Sequence, residues 1–457
     1  MSSRLSDNSI IARKSTREEG YGERTDSDEY EEREAVRKVD LHILPMVFLY
    51  YLFSFLDRSN IGNGRLYGLE KDLGMRGNQF QTASSLFFVT YVASEIPSTI
   101  WLRTLRPARF INAIAVAWGI IATLTGLTQN YGGFIVCRLL LGAAEGPLFP
   151  CLVVYMISFY TRQELAVRFG YLISGAAMAG AVGGLIAYGV GYMDKLHEMR
   201  AWRWLLILEG LPSICLGVFG WFFLADGPES AWYLTPAQRG IVVRRRVRDQ
   251  REASTASAQS LNKADIIAAF KDWKVWAFCV ENFGGDIQLF SYSIFLPTII
   301  QSINPDWSTL VVQALTVPCF VWCTVVYFAA AFVSDRIQHR ASFILFGFTM
   351  SIIGHIMLIA GKSVAVLYLA CYVIATGLFI LGIALAWLPS NLPRYGKRSA
   401  GVAMQIALGN SAGIPAPYVR IFQLCIIYEC AYKYSYILAP MGHASYWDML
   451  SLLHSLG

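Results

Sequence analysis

Within long apolar stretches of this chain stand the ionisable residues Asp57, Arg58, Glu95, Arg138, Glu145, Glu209, Glu281, Asp286 and His355. Each costs about 2.5–3.5 kcal/mol at the centre of a bilayer, so those that persist need a partner or a task. Arg138 and Glu145 are separated by close to two helical turns, which places them on one helix face about 10 Å apart. A guanidinium grips a carboxylate bidentately and stays charged, whereas a carboxyl group in a dry cavity accepts a proton more readily than in water. One face thus carries an anion ligand and a proton acceptor. The alternative is an Arg–acid pair that merely ties two helices together. Asp57 and Arg58 are adjacent, about 100° apart around a helix, so one is expected to face a cavity and the other a neighbouring helix. Asn282 and Gln288 offer polar contacts from the second half of the chain. Glu95, Glu209, Glu281, Asp286 and His355 are read as helix–helix pairs or positions reaching for the interface, and are assigned no role.

The elements that must position these groups are membrane spans. The chain has 457 residues, 55% hydrophobic and 15% charged, with a mean hydropathy of +0.43. Soluble proteins carry about 25% charged residues. The deficit excludes a disordered or nucleic-acid-binding chain and points to a polytopic membrane protein. The net charge of +6 is spread over short links rather than gathered on one surface, so no polyanion partner is implied. Cysteines such as Cys137, Cys151, Cys319 and Cys323 sit in apolar runs and read as small hydrophobes, not disulfides or a metal site.

Residues 1–39 are polar, charge-balanced and without apolar periodicity, and are read as a disordered inner tail with no cleavable signal. Apolar runs long enough to cross a bilayer follow near 41–61, 80–102, 108–128, 131–158, 166–192, 202–225, 273–300, 309–333, 341–361, 363–389 and 399–419. Lys and Arg concentrate in alternate links: Arg103/Arg106/Arg109, Arg162/Arg168, Arg336/Arg340, Arg394/Lys397/Arg398, and the central link 226–272 with Arg244-Arg245-Arg246-Val247-Arg248. By the positive-inside rule the N-terminus is cytoplasmic. The basic run is read as solvated or headgroup-facing. Residues 40–225 make a first bundle of six helices and 273–419 a second bundle of helices seven to eleven. The two halves overlay with a shift of roughly 230 residues, the mark of a secondary transporter with its site between the halves. Helix five is glycine-rich, and Gly180 with Gly184 permits close helix approach. The segment 420–457 is atypical: a twelfth helix is expected near 434–457, yet Pro440, Gly442, His443, Asp448 and His454 interrupt it, so a missing last helix is expected.

Several strings carry a resemblance. They are Leu56-Asp57-Arg58-Ser59-Asn60-Ile61-Gly62-Asn63, Arg138 through Pro150, Trp202-Arg203-Trp204 through Glu209-Gly210-Leu211-Pro212, and Asp226-Gly227-Pro228-Glu229-Ser230-Ala231. Others are Phe295-Leu296-Pro297-Thr298-Ile299-Ile300, Ser334-Asp335-Arg336 and Gly409-Asn410-Ser411-Ala412-Gly413. In order and spacing over residues 38–418 the chain resembles the anion:cation symporter branch of the major facilitator superfamily, especially its fungal allantoate/nicotinate permease-like members. The resemblance implies an all-α integral membrane fold of two six-helix bundles related by a pseudo-two-fold axis, working by alternating access. It implies proton-coupled movement of a small organic carboxylate, with a lipid bilayer, the anion and protons as partners. It further implies a monomer in the plasma membrane, neither an enzyme nor a nucleic-acid binder, using no cofactor beyond the proton gradient. By the same resemblance, Asp57 and Glu145 handle protons, and Arg58, Tyr91, Arg138, Asn282 and Asn410 contact substrate. Arg103 and Arg106, with Asp335 and Arg336, resemble the superfamily's cytoplasmic gating loops, although the first copy lacks the usual acid. The Gly-Pro-x-x-Gly-Gly pattern of drug antiporters is absent from helix five, and no Walker loop implies ATP. An exporter of a secondary metabolite and a non-transporting nutrient sensor are the rival readings.

Overall fold

The computed structural model describes residues 26–101, 106–256, 263–337, 339–392 and 395–419, and these form helices joined by short links. Arg103 and the segment 420–457, including the expected twelfth helix, lie outside the described residues, as does the tail before residue 26. The first bundle contains α1 (Asp26–Leu66), the short α2 (Leu69–Asp72), α3 (Gln79–Trp101), α4 (Pro107–Gly126), α5 (Tyr131–Glu145), α6 (Leu148–Ile157), α7 (Arg162–Gly191) and α8 (Ala201–Phe223). The central link holds α9 (Pro236–Ala256) and α10 (Lys263–Lys271). The second bundle contains α11 (Trp273–Ile303), α12 (Thr309–Ile337), α13 (Arg340–Ala360), α14 (Val364–Gly377), α15 (Ile380–Asn391) and α16 (Tyr395–Ser411).

Among the described residues, 8 spans are long and apolar enough to cross a membrane, two of them made of helix pairs: α5 with α6 and α14 with α15. The break between α5 and α6 falls at Gly146-Pro147, where proline removes a backbone donor. A matching break separates α14 from α15 at Leu378-Phe379, at the offset of roughly 230 residues that the internal repeat requires. The more polar helices α3, α11 and α16 are among those that face the other bundle.

Two boundaries differ from the sequence expectation. Helix α1 begins at Asp26, well inside the stretch expected as a disordered tail. Its early turns bury Ala35, Val39 and Ile43 at four-residue spacing, in one core with Leu234 and Val242 of the central link. That stripe is hidden in the sequence by the charges around it. At the other end, α16 stops at Ser411 rather than continuing to 419; Gly413 and Pro415 follow, and only a 3-10 turn, Ala416–Tyr418, remains.

The central link is bound to the first bundle by charge. Arg245, 11% exposed, pairs with Glu32 of α1 and Glu164 of α7, so the basic run is not uniformly solvated: Arg244 and Arg248 face out and Arg245 turns in. Arg168 clamps Asp40 through Nε and Nη2, both at 2.8 Å, over the Tyr160 ring. Burial alone would raise the Glu164 carboxyl, but Arg245 and the Thr161 N–H together hold it below its ordinary range. Asp272 caps α11 through the Lys274 N–H at 2.9 Å and holds Lys397 of α16 at 2.5 Å.

The bundles meet along α7 with α12, α1 with α11 and α3 with α16. Where they come closest, glycine is required. A Cβ on Gly62 would lie 2.0 Å from the Ile294 carbonyl oxygen, and one on Gly180 would lie 2.3 Å from the Phe320 ring. Gly184 faces Thr316 in the same way, so the partner of the helix-five glycines is the second bundle. These closures all lie toward the end of the molecule remote from the central link.

Candidate functional site

On the central-link side of those closures, a cavity of about 150 Å³ opens between the bundles. Its first-bundle wall is Tyr51, Phe55, Arg58, Tyr91, Phe149 and Ala176. Its second-bundle wall is Asn282, Asp286, Leu289, Phe290, Cys323, Tyr327, Leu378, Leu381, Gly382, Leu385, Ile406 and Asn410. A smaller chamber of about 40 Å³, lined by Ser59, Phe88 and Ser293 among others, adjoins it at Arg58. Drug-sized sites run to roughly 300–1,000 Å³, so the space here is small, and it is walled largely by aromatic and aliphatic side chains.

Arg58 is the cationic centre of the cavity. Its guanidinium donates to Glu145 Oε1 through Nε at 2.8 Å and approaches the same oxygen through Nη2 at 2.8 Å. Ser54, one helical turn earlier on α1, donates to the same oxygen and accepts from Arg58 Nη2 at 3.3 Å. The guanidinium carbon also lies 4.5 Å from the Tyr91 ring centre and 4.8 Å from that of Phe55. Glu145 reaches this position because α5 packs tightly on α3: a Cβ on Gly142 would lie 2.1 Å from the Phe87 carbonyl oxygen, and one on Gly146 2.3 Å from that of Tyr91. The Gly-Pro break after Glu145 then turns the chain away.

The adjacent Asp57 points into the first bundle, as the 100° offset requires. It is 2% exposed, its Oδ2 has no hydrogen-bond partner among the described residues, and its charged neighbours are Glu145, Arg138 and Arg58. Arg138 is also buried in the bundle rather than in the cavity wall. Its guanidinium lies 5.1 Å from the Phe134 ring centre, with Nε and Nη2 unpartnered among the described residues. Glu209 of α8 joins this interior group; both its carboxylate oxygens lack hydrogen-bond partners, and Asp57 and Arg138 are its charged neighbours. Among the described residues this interior group therefore sets three carboxylates, Asp57, Glu145 and Glu209, against two guanidiniums, Arg58 and Arg138; a fourth buried acid of the bundle, Glu95, lies at the seam.

From the second bundle, Asn282 donates to Asp286 Oδ2 at 2.7 Å. Asn410 donates to Glu95 of α3 at 3.2 and 3.1 Å, a polar link between the bundles. Gln288 instead donates to Ser351 at 2.6 Å, inside the second bundle. Of the residues singled out in the sequence, the cavity thus gathers Arg58, Tyr91, Asn282 and Asn410, with Glu145 directly behind Arg58; Asp57 and Arg138 stand one layer further in. Ser54, Glu95 and Asp286 were given no part by the sequence. Ser54 was legible as Arg58's neighbour one turn away, but the others depend on contacts between distant helices.

At the central-link end, Arg106 and Arg109 are exposed and approach Asp226, the first residue of the central link, at 3.5 and 3.6 Å. Arg336 lies over Phe332 at 4.5 Å and is exposed. Asp335 falls on α12, its side chain outside the described residues.

Residues 47–417 match the model of the Major Facilitator Superfamily. An uncharacterised transporter of Schizosaccharomyces pombe is 36% identical over 409 residues, 89% of this chain and 81% of that one. The high-affinity nicotinic acid transporter of Saccharomyces cerevisiae is 31% identical over 385 residues, 84% of this chain and 71% of that one. Among solved structures, a bacterial homologue of the human lysosomal transporter Spinster, inward-facing and unoccupied, aligns with TM-score 0.67 at 14% identity over 88% of this chain and 89% of that one. A D-xylose–proton symporter aligns with TM-score 0.63 at 12% identity, covering 86% and 95%. Two helical bundles repeated at one offset, a cavity between them and this match over most of the length lead to one assignment: the chain is a multi-pass membrane transporter of the Major Facilitator Superfamily, not an enzyme.

Proposed function

We propose that this protein is a proton-coupled symporter of a small organic carboxylate, of the anion:cation symporter branch, with its N-terminus in the cytoplasm of a fungal plasma membrane. The observation that carries the reading is Arg58 on the cavity wall with its charge held by Glu145. A buried ion pair of this kind is costly to break unless one partner is neutralised at the same time. Protonation of Glu145 releases Arg58 to take the substrate carboxylate; deprotonation reclaims it and expels the anion. The surplus of one buried carboxylate over the guanidiniums favours a proton resident in the cluster, which Asp57 shares with Glu145. Arg138 balances the charge of that interior layer. The nicotinic acid transporter among the relatives supports a carboxylate cargo, and the closures at Gly62, Gly180 and Gly184 fit an inward-facing state of an alternating-access cycle. Arg106 and Arg336, with Arg103 and Asp335, are proposed to bridge the bundles at the cytoplasmic end when the cavity faces outward. The protein is proposed to work as a monomer without a bound cofactor.

The test is uptake of labelled nicotinate, allantoate and related carboxylates by yeast expressing the full chain, at about pH 5 and pH 7.5, with and without a protonophore. Acid-stimulated, protonophore-sensitive uptake that Arg58→Ala abolishes supports the reading. Uptake indifferent to the protonophore, or none from correctly localised protein, overturns it.

A further inference from the structure

The second bundle brings one charged side chain to the described cavity wall, and it is an acid. Asp286 lies on α11, across the cavity from Arg58 on α1, and among the described residues its hydrogen bond is the one from Asn282 at 2.7 Å. No Lys, Arg or His of the second bundle lines the cavity among the described residues. Helix α16 backs Asp286 closely: a Cβ on Gly409 would lie 2.3 Å from Asp286 Oδ2 and 2.0 Å from Asn282 Nδ2. The carboxylate therefore has no room to retreat from the cavity toward α16.

The charges facing the ligand space are then unequal. Arg58 is balanced by Glu145 from behind, whereas Asp286 has one amide donor and, among the described residues, no ion pair; its cationic neighbour is Arg58 itself, which Glu145 already holds. A ligand bearing only a carboxylate satisfies Arg58 once Glu145 is protonated, but sets a second negative charge near Asp286 in a poorly solvated space. A ligand with a carboxylate at one end and a cationic or N–H-bearing nitrogen at the other satisfies both walls. The same cavity is walled by the rings of Tyr51, Phe55, Phe290 and Tyr327, suited to a ring or a short apolar spacer.

We infer that the substrate is bipolar: its carboxylate binds at Arg58 on the first bundle and its nitrogen at Asp286 on the second, an assignment that rests on the carboxylate reading above. One molecule then bridges both bundles, and Asp286 is the residue that selects zwitterionic or N–H-bearing acids over plain anions.

The test compares matched pairs on the purified full-length chain in detergent, read by ligand-induced thermal stabilisation. Piperidine-3-carboxylate is set against cyclohexanecarboxylate, and 3-(aminomethyl)benzoate against 3-methylbenzoate. Wild type is expected to half-saturate with the nitrogen-bearing member at about tenfold lower concentration, the scale of one charge-assisted hydrogen bond. Asp286→Asn is expected to erase that preference while binding the nitrogen-free acids at least as well, because the repelling charge is gone; Asp286→Glu is expected to keep it. Equal response to both members of each pair in wild type, or a preference that survives Asp286→Asn, overturns the inference and leaves the carboxylate reading intact. The wild-type comparison decides even if a variant fails to fold. No stabilisation by any of the four acids overturns both.

Discussion

Substituting Gly62 by alanine should change which side of the membrane the cavity faces, and the structure sets the size of the effect. The added Cβ would stand 2.0 Å from the Ile294 carbonyl oxygen and 2.9 Å from its carbon. A carbon needs roughly 3.3 Å from a carbonyl oxygen, so α1 and α11 must part by more than an ångström at this crossing. Overpacking of this kind costs about 1–3 kcal/mol. Only the state in which these two helices touch here bears that cost, so the balance should move toward the opposite-facing state by about 5- to 150-fold. The assay uses a cysteine-free background carrying Ser59→Cys, since Ser59 is 4% exposed and lines the small chamber beneath the closure. A membrane-impermeant maleimide applied from the closed side should label this cysteine about 5- to 150-fold faster once Gly62→Ala is added, 1.4 kcal/mol being tenfold. Gly189→Ala is the control, because open space surrounds an added Cβ there. An unchanged labelling rate in folded Gly62→Ala protein would refute the claim that this contact closes the cavity.

Glu145→Gln keeps an acceptor oxygen for Ser54 and Arg58 but has no titratable proton, so counterflow exchange of substrate should persist while pH-driven accumulation is lost; parallel counterflow and uptake assays check this. Glu145→Ala leaves the Arg58 guanidinium buried without its partner, a loss of about 3–5 kcal/mol that should appear as a lower melting temperature in detergent. Gly409→Ala drives a methyl into Asn282 Nδ2 and Asp286 Oδ2, and should weaken ligand-induced stabilisation far more than it lowers the melting temperature of the empty protein. Asp272, at the mouth of α11, should make an acid limb in the stability profile. Burial would raise its carboxyl, but the bonds from Lys397 and the Lys274 N–H outweigh this and hold it below the ordinary value of 3.8. A folded-state value below the unfolded one contributes stability at pH above about 3.8 that fades as pH falls through the folded value. Melting curves from pH 7 down to pH 3 should therefore show a shallower acid decline in Asp272→Asn than in wild type.

The helical order and the repeat were legible because bilayer thickness and charge asymmetry act on local sequence. The start of α1 was not: Ala35 and Val39 form a stripe too thin to read among Glu31, Glu32, Glu34 and Lys38, and it is stabilised by Leu234 and Val242, some two hundred residues on. The same limit governs the site. Spacing correctly separated Asp57 from Arg58 around α1, yet it set Arg138 and Glu145 on one ligand-binding face, where the structure gives Glu145 to Arg58 and leaves Arg138 inside the bundle. Helical periodicity says which residues share a face; it does not say which neighbouring helix that face meets. The Asn410–Glu95 link and the position of Asp286 depend on the meeting of two bundles, which no local pattern encodes.

The three bundle-facing helices outside the apolar spans, α3, α11 and α16, show what the site demands of the fold. Between them they carry Tyr91, Glu95, Asn282, Asp286 and Asn410, so the polarity that weakens their membrane signal is the polarity of the cavity. Such side chains are tolerable at membrane depth only against another protein surface or a water-accessible space. That requirement keeps these helices at the seam between the bundles, away from lipid. The seam must also open and close, so its contacts cannot be a deeply interlocked core. The structure meets both needs at once: glycines at Gly62, Gly180 and Gly184 permit close approach through small surfaces that separate with little loss, while Asn410 and Glu95 supply a hydrogen bond that water can replace when the bundles part. A seam built from large interdigitating side chains would be more stable in one state and correspondingly slower to leave it. Small residues at the closures and exchangeable polar links beside the cavity are therefore two parts of one device, and Gly62→Ala tests the first of them.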